Sequence, residues 1–203
     1  MQNGLNNIFV SATDTGVGKT FHSVKILKAL LDAGYKSGEL AYYKPVQCGP
    51  DKDYMVITQD LGNIATYCSY DLHYPASPHY AAEKEHVVIN LEKIRSDYEE
   101  IRAKHRCVIV EGAGGLAVPL NYTGDLVSDI PRVLDLPVLL IIRPNLGTIN
   151  HSLLSIEHAR AKGLKILGII VSDLVLEADI ERTKNSIDTI MKIGGVKIWK
   201  PIF

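Results

Sequence analysis

The sequence predicts an α/β fold: a parallel β-sheet flanked by helices on both faces. Short apolar runs alternate along the chain with longer amphipathic stretches, the order expected of repeated strand and helix units. The apolar runs are continuous rather than alternating, which marks strands buried on both faces, as in parallel sheets. At 203 residues with 46% hydrophobic and 22% charged content, the chain is long and apolar enough to pack one core, and a single domain over 1–203 is expected.

The elements follow in order. Ile8 to Ala12 (IFVSA) reads as a strand. From Lys19 to Ala33 the apolar residues Val24, Ile26, Leu27, Leu30 and Leu31 fall at helical spacing, and Gly34 supplies a stop. Leu40 to Val46 (LAYYKPV) reads as a second strand ended near Pro45, and Asp51 to Leu61 as a helix. Ser69 to His86 is rich in Pro, Tyr and His and is expected to be loop with some short helix. Leu91 to His105 is charged and helical, with Ile94, Tyr98 and Ile101 on one face. Cys107 to Val110 (CVIV) and Pro137 to Ile142 (PVLLII) are buried strands. Ile149 to Ala161 is helical, Leu167 to Val171 (LGIIV) a strand, Ala178 to Ile193 a helix, and Val196 to Trp199 a short last strand. In such a sheet ligands bind at the carboxyl ends of the strands.

Composition excludes several classes. Lys and Arg number 22 against 23 Asp and Glu, a net charge of −1, so no basic footprint for nucleic acid or an anionic membrane is expected. Three cysteines, Cys48, Cys68 and Cys107, show no metal-ligand spacing, which fits a reducing cytoplasm better than a disulfide scaffold. Met1 to Asn7 is polar and lacks the basic start of a signal peptide. The apolar run Leu136 to Ile142 holds Pro137 and is too short to cross a bilayer.

The segment Ala12-Thr-Asp-Thr-Gly-Val-Gly-Lys-Thr20 follows a strand and opens a helix, the setting of a phosphate-binding loop. Its glycines let the backbone approach an anion, and the helix N-terminus faces it. In that setting Lys19 can reach the β- and γ-phosphates and the Thr20 hydroxyl can ligate Mg²⁺. The usual first glycine of this pattern is replaced by Thr13. A second segment, Val108-Ile-Val-Glu-Gly-Ala-Gly-Gly115, ends a buried strand in a carboxylate, and Glu111 beside a phosphate loop is a natural Mg²⁺ partner. In Tyr43-Lys44-Pro45-Val46-Gln47-Cys48-Gly49, Lys44 at a strand end offers a second positive charge toward the phosphates. Asp51 and Asp53 follow; either can add a carboxylate to Mg²⁺ or cap a helix.

Together ATDTGVGKT at 12–20, YKPVQCG at 43–49, SPH at 77–79, VEGAGGLAVPL at 110–120 and NLGTINH at 145–151 resemble the dethiobiotin synthetase family, in its order and over about three quarters of the chain. The resemblance implies a P-loop NTPase-like fold and an ATP-dependent cyclo-ligase. Its substrates would be 7,8-diaminopelargonate, CO₂ and MgATP. A carbamate would attack the γ-phosphate, and the resulting carbamic-phosphoric anhydride would close to dethiobiotin, in biotin biosynthesis.

The resemblance also implies roles. Gly16, Val17, Gly18, Lys19 and Thr20 would cradle ATP, with Phe21 at the edge. Thr20, Asp53 and Glu111 would hold Mg²⁺, the resemblance favouring Asp53 over Asp51. Lys19 and Lys44 would be catalytic, stabilising charge on the transferring phosphoryl group. Gly112, Ala113 and Gly114 would wall the nucleotide, and Gly115, Val118 and Cys48 the substrate. The helix starting near Thr148, with Asn150, would offer its positive end to the substrate carboxylate across a homodimer interface. Ser172 and Asp173 would lie at the base. Cys48 stands where the family usually carries Ser or Thr, and Ser172 where it commonly has Asn. These departures leave room for a related P-loop ligase acting on another small acid. A nucleotide-dependent dimerisation switch is the other alternative.

Overall fold

The computed structural model describes residues 7–172 and 179–200. In chain order these form β1 (Ile8–Ala12), α1 (Lys19–Asp32), a 3-10 turn (Ser37–Glu39), β2 (Leu40–Cys48), α2 (Asp53–Leu61), β3 (Ala65–Leu72), α3 (Pro78–Lys84), α4 (Leu91–Arg102), β4 (Cys107–Gly115), α5 (Asp129–Val133), β5 (Val138–Ile142), α6 (Thr148–Ala161), β6 (Ile166–Val171) and α7 (Ile180–Gly194). The strands make one six-stranded sheet in the order β3-β2-β4-β1-β5-β6, every neighbouring pair parallel.

The alternation of side chains across each strand explains the continuous apolar runs. In β1, Ile8, Val10 and Ala12 pack with Val24, Leu27 and Leu30 of α1 and Ile57 of α2. Phe9 points the other way, into the layer of Ile94, Tyr98 and Ile101 of α4. Both faces must therefore be apolar. Leu27 and Leu30 are fully buried, each contributing about 1.5–3 kcal/mol of burial. A third cluster, with Leu140 and Ile142 of β5, Ile156 of α6 and Ile190 of α7, completes the sheet's other end.

Several elements differ from the sequence reading. β2 does not stop near Pro45 but runs through it to Cys48. Beyond Tyr43 it pairs with β3 alone, and a residue without an N–H is tolerated where a strand has lost one neighbour. β3 replaces the first part of the expected Ser69–His86 loop. It is an edge strand whose side chains are mostly half-buried, so its sequence lacks a continuous apolar run. α2 begins at Asp53, not Asp51. β4 continues past Val110 to Gly115 and carries Glu111 inside the strand. The five-residue α5 is too short to leave a periodic pattern. The expected last strand is reduced to a single bridge between Ile198 and Ile169, held by Ile169 N–H to Lys197 O and Trp199 N–H to Ile169 O. Ala178, the expected start of the last helix, lies outside the described residues; Asp179 caps α7, which begins at Ile180.

Candidate active site

The loop between β1 and α1 is shaped by two glycines. Gly16 (φ 67°) and Gly18 (φ 106°) both occupy the left-handed region, where a Cβ is strained. Thr13 is not among the positive-φ residues, and its N–H donates to Ile141 O at 3.1 Å, extending the pairing of β1 with β5. A glycine is therefore not required there. α1 starts with no acidic residue in its first turn and no side-chain cap. Its leading N–H groups are left for an anion. Lys19 Nζ donates to the Asp14 carbonyl at 3.3 Å. Burial, together with the nearby charge of Lys44, lowers its pKa to about 8, against the opposing pull of Glu111 and Asp53.

The floor of the site gathers residues from four elements. Thr20 Oγ1 of α1 lies 3.0 Å from Asp53 Oδ1 of α2 and 2.9 Å from Glu111 Oε1 of β4. Lys44 of β2 is buried beside them, its Nζ 2.5 Å from Asp53 Oδ2 and 3.0 Å from both Glu111 Oε1 and the Gly112 carbonyl. Three ammonium protons thus meet three acceptors. Burial works against the Lys44 charge, but the two carboxylates outweigh it and raise the pKa. Burial likewise opposes the charge on Asp53, yet Lys44 and Thr20 hold its pKa below the ordinary value. Glu111 is fully buried, and its Oε2 accepts from Ser23 Oγ at 2.8 Å.

This floor opens into a cleft of about 690 Å³ at the carboxyl ends of β1, β2 and β4. It brings together Gly16, Gly18, Lys19, Thr20, Phe21, Lys44, Cys48, Asp53, Glu111, Ala113, Gly114 and Val118 among the expected residues. The far wall is the segment Pro75 to Pro78. Burial pushes the Cys48 thiol up to about 11, with Lys44 pulling the other way.

Other expected residues sit elsewhere. The Val17 side chain is in the core. Gly112 turns its carbonyl to Lys44, and a Cβ there would come within 2.8 Å of Phe9. Gly115 is paired with Ala12 in the sheet. Thr148 and Asn150 open α6 away from the cleft lining. Ser172 is buried, its Oγ 3.3 Å from His22 Nε2. Asp173 lies outside the described residues. His79 contacts Ser77 Oγ at 3.1 Å and the Tyr122 ring, and does not line the cleft.

Two residues were missed. Ser23 follows Lys19 by four and Thr20 by three, so helical spacing already put it on the same face. Gln47, in a segment otherwise singled out, bonds only to backbone, which residue type alone does not reveal.

The donor set fits magnesium. Two carboxylates and a hydroxyl offer only hard oxygen, and Mg²⁺ characteristically takes one or two carboxylates and completes its shell with water and phosphate. The Thr20 hydroxyl has one proton for two carboxylate oxygens within 3.0 Å, leaving one of those contacts without a hydrogen at any time. Among the described residues no group of three or more His, Cys, Asp or Glu forms a metal cage.

Comparison with known proteins gives concordant results. A family model described as an AAA domain matches residues 6–199. The ATP-dependent dethiobiotin synthetase BioD of Methanococcus vannielii is 35% identical over 94% of this chain and 90% of its own length. The Bacillus cereus (strain B4264) protein of the same name is 36% identical over 96% of this chain and 81% of its own. Among solved structures, the MinD cell division protein of Aquifex aeolicus superposes with a TM-score of 0.62 at 16% identity, covering 96% of this chain and 80% of that one. At that identity the likeness concerns the fold. Among the described residues, no helix is long and apolar enough to cross a membrane.

Proposed function

The chain belongs to the ATP-dependent dethiobiotin synthetase family, and from that premise we propose that its cleft closes a ureido ring on 7,8-diaminopelargonate with CO₂ and ATP, yielding dethiobiotin, ADP and phosphate in biotin biosynthesis. One observation carries the reading. Thr20, Asp53 and Glu111, from three separate elements, converge beside a second buried lysine, Lys44, in a cleft with room for more than a nucleotide phosphate chain.

The chemistry divides among these residues. The loop from Gly16 to Thr20 and the start of α1 bind the phosphates through backbone N–H groups. Thr20, Asp53 and Glu111 would hold magnesium. When bound, it neutralises charge on the β- and γ-phosphates. One substrate amine adds to CO₂ and loses a proton, giving a carbamate that is already an anionic nucleophile and needs no strong base. Its oxygen bonds to the γ-phosphorus as the bond to the ADP oxygen breaks. Lys19 and Lys44 offset the charge that spreads over the transferring group. The second amine then attacks the carbamoyl carbon, phosphate leaves, and the nitrogen gives up a proton. The protein's contribution is alignment and charge screening between anions.

The substrate half of the cleft is lined by Cys48 and Val118, with Gly115 behind them in β4. We place Thr148 and Asn150 in the site of a second copy, as a homodimer requires. Two exposed leucines, Leu146 just before α6 and Leu154 at its middle, support an interface along that helix. Ser172 and Asp173 are assigned to the base end. The cytoplasm is the assigned compartment. The test is ADP release by purified protein with MgATP, bicarbonate and 7,8-diaminopelargonate, each omitted in turn, and the product identified by mass. Dethiobiotin formed only in the complete mixture supports the reading. ADP release indifferent to the diamine contradicts it and favours a nucleotide switch.

A further inference from the structure

We infer that Gln47 is a positioning residue for this reaction, holding Asp53 in place against Thr20 and Lys44. The inference rests on the assignment of Asp53 proposed above. Gln47 is 4% exposed, and its side chain folds into the 48–53 loop. Its Oε1 accepts from the Asp53 backbone N–H at 3.0 Å. Its Nε2 donates to the Asp51 carbonyl at 2.9 Å and the Cys48 carbonyl at 3.2 Å. One donor and two acceptors on the loop thus meet an amide, the side-chain group that supplies an acceptor and two donors in one rigid plane.

The Asp53 N–H is the critical partner. Asp53 is the first residue of α2, so this donor has no acceptor within the helix, and Lys52 before it provides no side-chain cap. Gln47 supplies the missing cap from β2. With its backbone fixed, the Asp53 carboxylate reaches Thr20 Oγ1 with one oxygen and Lys44 Nζ with the other. All three Gln47 bonds go to backbone, so its influence on the metal and phosphates passes through Asp53. The outer side of the loop is pinned separately. Lys52 and Tyr54 both bond to the Asp71 carboxylate, and Gly49 N–H donates to Leu72 O at 3.0 Å. These contacts hold the loop on β3 when Gln47 is altered.

The experiment uses the full chain with ADP, and Mn²⁺ as the metal probe. Mn²⁺ binding is measured by electron paramagnetic resonance and ADP binding by calorimetry. The variants are Gln47→Leu, Gln47→Glu, Asp53→Asn and the Gln47→Leu/Asp53→Asn double. Gln47→Leu is expected to weaken Mn²⁺ binding about 10-fold, as losses of residues that orient metal ligands do, with metal-free ADP affinity unchanged. Gln47→Glu keeps the acceptor for Asp53 and should lose less. If Gln47→Leu does not fold, Gln47→Met, which also lacks the acceptor for the Asp53 N–H, supplies the same comparison with and without Asp53→Asn. Amide exchange at Asp53 should accelerate in Gln47→Leu and stay slower in Gln47→Glu. In the Asp53→Asn background, altering Gln47 should cause no further loss of Mn²⁺. An equal further loss there, or unchanged Mn²⁺ affinity in Gln47→Leu, overturns the inference while leaving the role of Asp53 intact. Wild-type Mn²⁺ binding by Asp53→Asn removes the assignment of Asp53 and the inference with it.

Discussion

Replacing Lys44 with methionine isolates what its charge does, because methionine keeps most of the buried stem. In the folded chain the Lys44 ammonium lies between two carboxylates, one fully buried and one with a side chain 30% exposed. Removing one partner of a buried ion pair costs about 3–5 kcal/mol. Here Glu111 keeps hydroxyl partners in Thr20 and Ser23, and the Asp53 side chain stays partly open to solvent. The cost therefore falls at the low end, about 3 kcal/mol, or roughly 6–12 °C in Tm for a chain of this size. Bare carboxylates also attract a dication. At 100 times its dissociation constant, Mg²⁺ should restore about 2.7 kcal/mol. Stability restored by metal should not restore turnover, which is expected to stay about 10²–10³-fold down for want of the second charge on the transferring phosphoryl group. Urea unfolding with and without Mg²⁺, beside an ADP-release assay, separates the two effects. Wild-type turnover with MgATP, or wild-type stability in the absence of Mg²⁺, contradicts these roles of Lys44.

Three further predictions concern neighbouring features. Ser23→Ala removes the hydroxyl that reaches Glu111 Oε2 and should cost about 1.5–3 kcal/mol, the range for a bond to a charged group; a urea midpoint unchanged from wild type would sink this role. With its pKa near 11, Cys48 is a neutral thiol at pH 7.5, so peptide mapping after iodoacetamide should show slower alkylation than free cysteine, and faster alkylation contradicts the assignment. Asp129 takes bonds from Leu126 N–H, Arg132 and Lys162; burial alone would raise its pKa, but these partners hold it below the ordinary value. A carboxyl depressed in the folded state stabilises above its unfolded pKa and loses that contribution as pH falls through the folded one. Asp129→Asn should therefore be about 2 kcal/mol less stable at pH 7, with the gap closing below about pH 4; a gap independent of pH contradicts it.

Most of the sheet was legible because its central strands are buried on both faces and so carry unbroken apolar runs. β1, β4 and β5 were readable on that ground, and the edge strand β6, though mostly half-buried, still carries an apolar run (ILGIIV). β3 was not, because an edge strand with half-buried side chains (ATYCSYDL) shows no such run. Pro45 misled for a related reason: a proline stops a strand only where both neighbours demand its N–H, and β2 has lost β4 by that point. In the site, glycine spacing pointed to the β1–α1 loop, and strand context pointed to Glu111 and Lys44, which the fold brings together in one cleft. Ser23 was legible in principle from helical spacing. Gln47 was not, since an amide bonding to loop carbonyls leaves no pattern of residue types. The cap it supplies arises only when β2 and α2 are brought together.

In the proposed reaction the γ-phosphoryl group of ATP passes to a carbamate oxygen derived from CO₂. Turnover with ¹⁸O-labelled CO₂, quenched before the label washes into water, tests it through the phosphate released. The phosphate is expected to carry one ¹⁸O for each dethiobiotin formed, because the bond from carbamate oxygen to phosphorus survives ring closure. Unlabelled phosphate formed alongside dethiobiotin from still-labelled CO₂ would contradict it.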